Sequence, residues 1–292
     1  MTIPSDRRFR AALVQLRAGR TIAPNLEAAE ALIREAARGG AYYVQTPENT
    51  ALMELEPALV LEQVRPEASS EPLQLFCALA AELGIWLHVG SLGIKADDTR
   101  VANRSFLIDP KGAIAARYDK LHMFDVDLAG GESYRESQYY APGSKAVVAD
   151  LPWGRLGMTI CYDLRFPALY RALATAGANL IAIPAAFTKQ TGRAHWHVLV
   201  RARAIETGSF VLAATQGGLH ENGRETYGHS MIVSPWGDIL AEAGEDPCVI
   251  FAEIDLARSD EARAAIPALK HGRAFEIEPA GDEPDFARKE LS

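Results

Sequence analysis

The chain has 292 residues, 48% of them hydrophobic, enough to bury a large core as one big α/β domain or two smaller ones. Its 30 Lys and Arg against 38 Asp and Glu give a net charge of −8, which argues against a broad nucleic-acid or anionic-membrane surface. Three cysteines (Cys77, Cys161, Cys248), odd in number and without metal spacing, argue against a disulfide framework and for a reducing cytosol. No apolar segment follows the basic N-terminal residues and no uninterrupted apolar run approaches membrane-spanning length, so a soluble, cytoplasmic protein is expected.

In chain order, Phe9–Leu16 reads as a strand and Asn25–Arg38 as a helix capped by Asn25 and closed at Gly39-Gly40. Ala41–Gln45 is a short buried strand ending at Thr46-Pro47-Glu48. A helix over Pro72–Leu83 stops at Gly84, and Ile85–Ser91 is a third strand. Asn103–Asp109 and Ala113–Tyr118 form a hairpin around Pro110-Lys111-Gly112. A loop from Leu121 to Gly143 follows; loops of that length inside compact domains are usually functional or mobile.

The same order then begins again. Leu156–Ile160 is a short apolar run bounded by glycine, followed by Cys161 and a helical pattern opened by Asp163 and running to Ala176. Gly177-Ala178 leads into Asn179–Ile183 and Pro184, as Gly40-Ala41 leads toward Pro47. A helix over Arg193–Thr207 precedes the strand Phe210–Gln216. The hairpin Ser230–Ala241 turns at Pro235-Trp236-Gly237, and Asp255–Leu269 reads as a last helix. Two such copies imply two sheets with helices on one face each. Packed bare face to bare face, they give a four-layer α-β-β-α sandwich with an internal pseudo-two-fold repeat. No linker separates the halves, so residues 1–270 read as one domain. The charged, proline-containing tail 271–292 is either mobile or packs on a neighbouring subunit.

In this architecture the carboxyl-end loops of the strands gather at one edge, where α/β sheets place ligands. Glu48, Lys120 and Cys161 all fall at such ends. Cys161 stands at a strand-to-helix corner, where the N–H groups and positive end of the coming helix favour a thiolate.

The motifs Pro47-Glu48-Asn49, Asp119-Lys120-Leu121-His122-Met123-Phe124-Asp125 and Cys161-Tyr162-Asp163-Leu164-Arg165-Phe166-Pro167 resemble the nitrilase, or carbon–nitrogen hydrolase, superfamily. The resemblance continues through His195-Trp196, Arg201-Ala202-Arg203-Ala204-Ile205-Glu206 and Tyr227-Gly228-His229-Ser230 to Pro235-Trp236-Gly237, most like the branch of deaminated-glutathione amidases and omega-amidases. It implies a Cys–Glu–Lys triad on Cys161, Glu48 and Lys120, with a further glutamate at Glu136 (Glu132 being the lesser choice), no cofactor, and a homodimer or larger assembly. It also implies hydrolysis of a terminal carboxamide on a small carboxylate-bearing substrate. Arg165 and Arg193 are the arginines suited to gripping that carboxylate, although Arg193 and His197 depart from the branch pattern. Tyr162, Phe187, Thr191 and His195 are the other candidate substrate contacts, and Trp196, Trp236 and Tyr227 are available to wall the pocket.

Other readings are open on the residues alone. Cys161 paired with His122, His195 or His229 would make a papain-like enzyme. A zinc site on His195 and His197 is disfavoured, because residues two apart on a helix face apart. A non-catalytic scaffold would not need all three triad residues. N-carbamoyl hydrolysis or acyl transfer would use the same thioester.

Overall fold

The computed structural model describes residues 7–128 and 131–278. Its first sheet runs Cys248–Asp255, Arg8–Gln15, Tyr43–Gln45, Trp86–Lys95, Val101–Ile108, Ile114–Asp119, with Tyr140–Ala141 also paired to Val101–Ile108. The second runs Ile239–Glu242, Met231–Val233, Phe210–Ala213, Leu180–Ala182, Gly154–Met158, Val147–Leu151. In each sheet three central strands are parallel, and the hairpin strands add antiparallel.

Strand alternation sorts the side chains between two cores. Phe9, Ala11 and Leu13 face the second sheet and pack in one cluster with Met158, Ile181 and Leu212. Ala12 and Val14 face the other way, onto Ala29, Ile33 and Phe76 of the helices α1 (Ile22–Arg38) and α3 (Glu71–Leu83); a short helix α2 (Pro57–Gln63), which no sequence signal marks, lies between them in the chain. Over the second sheet lie α4 (Pro167–Thr175) and α5 (Lys189–Thr207), through Leu173, Trp196 and Val200. The chain is therefore the α-β-β-α sandwich with repeated halves that the sequence predicts.

The sheet-facing core is not wholly apolar. Tyr43 Oη bonds Gln45 Oε1 at 3.0 Å and His88 Nδ1 at 2.9 Å, while His88 Nε2 meets Ser105 Oγ at 2.7 Å. Gln45 Nε2 then donates across to Leu212 O in the other sheet at 3.0 Å, so a satisfied polar chain pins the sheets in register.

Four local expectations change. First, α1 starts at Ile22, and Asn25 is not its cap. Asn25 is buried and bonded to Gly19 N and O and Ala51 O, tying down the loop before the helix. Second, Asp163 opens no α-helix. Its carboxylate accepts from Ile160 N at 2.8 Å and from Tyr118 Oη at 2.6 Å, closing a single 3-10 turn over Cys161–Arg165. The α-helix waits for Pro167, because the residue before a proline avoids helical backbone and proline fits the first helical turn. Third, α5 begins at Lys189, four residues before the expected start, capped by Thr188. Fourth, Cys248–Asp255 is a strand pairing along Arg8–Gln15, and the last helix is only α6 (Ala257–Ala265). The chain's end thereby closes the first half's sheet. Phe275 and Ile277 of the tail are 85% exposed, and 279–292 lie outside the described residues.

Candidate active site

Glu48 leaves the strand Tyr43–Gln45 through Thr46-Pro47 and turns inward, 3% exposed. The turn is held by Thr46 Oγ1, which meets Thr50 Oγ1 at 2.7 Å and accepts from Gly90 N at 3.0 Å. Gly90 has to be glycine here. A Cβ would lie 2.5 Å from Pro184 Cβ and Pro47 O, so any side chain would push apart the strand ends that carry the site.

Lys120 ends the first hairpin and is buried. Its Nζ lies 2.9 Å from Glu48 Oε1, and 3.0 and 2.9 Å from the two oxygens of Glu136. Glu136 begins a one-turn 3-10 helix inside the long Leu121–Gly143 loop and also accepts from Phe124 N at 2.6 Å. That loop is therefore ordered around the site over its described residues, with Asp125–Asp127 paired to Ser133–Arg135. Asn103 Nδ2 donates to Glu48 Oε1 at 2.9 Å and sits 3.4 Å from Glu136 Oε1, bridging the two acids.

Cys161 is 7% exposed and has φ of +49°, a left-handed backbone that costs a non-glycine residue about 1–3 kcal/mol. Its N–H donates to Pro184 O at 2.8 Å, which joins the turn to the end of the neighbouring strand. Two residues on, Ala186 N donates to Glu48 Oε2 at 3.0 Å, and the same N–H is turned toward the Cys161 sulfur. Five side chains from five segments (Glu48, Asn103, Lys120, Glu136 and Cys161) thus face one cavity of about 300 Å³. Met53, Leu55 and Val60 give it an apolar wall, with aromatic walls from Phe124, Tyr134, Tyr162 and Phe187.

The charges are strongly coupled. Burial opposes ionisation of Glu48, but Lys120 and the Cys161 thiol hold its carboxyl below the ordinary value. Burial likewise opposes the Lys120 cation, yet Glu136 and Glu48 keep it well above its usual range. Burial pushes the Cys161 thiol well up, the Glu48 charge pushes it further, and Lys120 only partly offsets them. The helix end expected to favour a thiolate is not beside Cys161, and burial and the Glu48 charge act the other way. One 3-10 turn supplies no helix dipole to speak of, and a carboxylate is closer than any helix end.

Among the candidate substrate contacts, Tyr162, Phe187 and Thr191 line the cavity. Thr191 is half occupied with a structural task, its Oγ1 2.8 Å from the Thr188 cap. Arg165 and His195 stand together outside the lining: both Arg165 terminal nitrogens are 3.3 Å from His195 Nδ1, and the guanidinium lies over the Tyr162 and Phe187 rings. Arg193 is exposed and does not line the cavity. Neither do Trp196, which is buried, nor Trp236, which is 58% exposed, nor Tyr227. No histidine lines the cavity among the described residues: His122 is bound to Asp163, and His197 and His229 both to Glu242. Sequence reasoning missed Asn103 and Arg224. The only trace of Asn103 is an amide in the middle of an otherwise strand-like run, Val101–Ile108.

A sandwich of this kind, with a sulfur, an acid and a lysine sharing one cavity, has the parts of an enzyme that works through a cysteine nucleophile. The carbon-nitrogen hydrolase family matches residues 10–264, and the chain belongs to it. It is 41% identical over 265 residues to the deaminated glutathione amidase of Yersinia enterocolitica, covering 90% of this chain and 92% of that protein. The crystal structure of the C. elegans NitFhit protein superposes with a TM-score of 0.85 at 37% identity, over 91% of this chain and 65% of that one. A mutant of the amidase from Nesterenkonia sp. AN1, whose structure carries the acetamide moiety of fluoroacetamide on the active-site cysteine, matches at 25% identity with a TM-score of 0.76, over 93% of this chain and 99% of that one. The enzyme is thus a hydrolase acting on carbon–nitrogen bonds other than peptide bonds. Among its described residues no helix is long and apolar enough to cross a membrane.

Proposed function

We propose that this enzyme hydrolyses the amide of a small carboxylate-bearing substrate, deaminated glutathione or the omega-amide of a 2-oxo acid, through a thioester on Cys161. The observation that carries the reading is the convergence of Cys161, Glu48 and Lys120 from separate strand ends, with Lys120 Nζ 2.9 Å from Glu48 and Ala186 N 3.0 Å from it.

Making a thiolate is a minor part of the task. A free thiol of pKa about 8.5 costs only about 2 kcal/mol to ionise at pH 7, whereas enzymes lower barriers by roughly 8–23 kcal/mol. Glu48 takes the Cys161 proton as the sulfur attacks the amide carbon, and a C–S bond forms while the carbonyl oxygen gains charge. Lys120 and the Tyr162 backbone N–H stabilise that oxygen, which is usually the larger contribution. Glu48 hands the proton to the departing nitrogen as the C–N bond breaks. It then deprotonates water, which attacks the thioester; the C–S bond breaks and the sulfur recovers its proton. Glu136 holds Lys120 in place through both carboxylate oxygens. The deaminated glutathione amidase among the relatives supports the substrate class.

The same proposal takes residues 1–270 as one domain needing no cofactor, in a cytoplasmic homodimer or larger assembly, with the tail from 271 either mobile or packing on a neighbouring subunit. The exposed apolar residues Val198, Ile205 and Trp236 support the assembly, which light scattering reads directly. The chemistry is tested by ammonia release from a panel of small amides, omega-amides of dicarboxylic acids and N-carbamoyl compounds included. Omega-amide turnover that disappears in Cys161→Ala is the expected result; turnover at near the native rate in that variant overturns the thioester route.

A further inference from the structure

We infer that Arg224 recognises the carboxylate at the far end of a short acyl chain and so selects anionic amides over neutral ones; this rests on the amidase reading of the same cavity. Three arginines and lysines line the cavity among the described residues, and two are already matched: Lys120 with Glu48 and Glu136, Arg135 with Asp127. Arg224 has no carboxylate partner there. One terminal nitrogen donates to Ala186 O at 2.6 Å and the other reaches only the Met53 sulfur at 4.0 Å. Its Nε is buried with no hydrogen-bond partner among the described residues. A buried orphan donor of this kind calls for a missing acceptor. Arg224 lines the cavity, and a guanidinium grips a carboxylate in bidentate fashion. The guanidinium is kept in place by Ala186 O and by the Tyr134 ring, 5.3 Å from its centre.

The Ala186 residue also sets the reach. Its N–H is bonded to Glu48 and turned toward Cys161, while its carbonyl holds Arg224. Base and guanidinium are therefore linked through one residue, by hydrogen bonds of 3.0 and 2.6 Å, and lie within about 9 Å of each other. A carbonyl held at the sulfur places its own far carboxylate on Arg224 only if the acyl chain is short. Arg165, one of the two arginines expected to bind the carboxylate, is engaged outside the lining by His195 and two aromatic faces.

The test compares kcat/KM for glutaramate with that for pentanamide, its neutral match, by ammonia release. In Arg224→Gln the ratio falls roughly 10- to 150-fold, the worth of a hydrogen bond to a charged group, and Arg224→Lys restores only part of it. A ratio that does not move, or one that falls in Arg165→Gln instead, overturns the assignment. Binding supplies an arm independent of turnover: glutarate raises the melting temperature of the Cys161→Ala protein more than pentanoate does, and equal shifts overturn the inference. Should wild type release no ammonia from either amide while glutarate still outperforms pentanoate, the amidase reading fails and the anion site stands.

Discussion

The two halves of the molecule repeat one scaffold and use it differently. In the first half the second strand ends in Thr46-Pro47-Glu48; in the second half the matching strand ends in Pro184-Ala185-Ala186 and offers only backbone. The first hairpin ends in Lys120, buried among carboxylates, whereas the second ends at Glu242, half-exposed and bonded by His197 and His229, each at 2.8 Å. The sulfur belongs to the second half alone. The duplicated frame therefore supplies position, and the chemistry comes from side chains that break its symmetry, meeting where Ala186 N touches Glu48.

The largest expected effect tests whether residues from both halves act as one unit. Cys161→Ala and Glu48→Gln should each lower kcat/KM by about 10⁴-fold or more, and the double variant should be little worse than either, since groups acting together are non-additive. Additive losses in a three-variant kinetic comparison would separate the halves.

The hairpin ends should differ in stability. Lys120→Met strands two carboxylates in a buried site and should cost about 3–5 kcal/mol in urea unfolding. Glu242→Gln, in a wetter place, should cost about 1 kcal/mol or less. Equal costs would erase the contrast.

Acid stability distinguishes the sheets' shared core from the site. His88, pushed down to about 3 by burial, stays neutral in the fold while the unfolded residue takes a proton near 6.5. The unfolded state then binds more protons, so stability drops as pH falls from 6.5 toward 3, by about 3 kcal/mol at pH 4. Glu48, held low, stabilises above its ordinary 4.5 and loses that contribution as pH falls through its folded value. His88→Gln should flatten the limb between pH 6 and 4 and leave the lower one, as followed by denaturation at stepped pH.

The smallest effect lies in the backbone. Cys161→Gly, relieved of a Cβ at φ +49°, should be about 1 kcal/mol more stable than Cys161→Ala.

How much of this was legible follows from sequence distance. Glu48, Lys120 and Cys161 could be placed at one edge because each ends a strand with a readable pattern. Asn103 and Arg224 could not, since their partners lie elsewhere in the chain: Asn103 is 55 residues from Glu48, and Arg224 is 38 from Ala186. The helix starts slipped where a side chain found a tertiary partner, as Asn25 did with Ala51 and Asp163 with Tyr118. The strand Cys248–Asp255 went unread although its run is apolar, because its partner Arg8–Gln15 stands at the opposite end of the chain. The upward push on the Cys161 thiol comes from burial and from Glu48, a neighbour only in space.

A buried sulfur set against an acid has a pharmacological side. Burial and the Glu48 charge both push the Cys161 thiol up, so the acid that takes its proton matters more here than the sulfur's own acidity. Warheads bearing a carbonyl that seats beside Lys120 recruit Glu48 to strip the proton and react at the pace of the natural cycle, so selectivity against this enzyme is a matter of mimicking its amide rather than of raw reactivity.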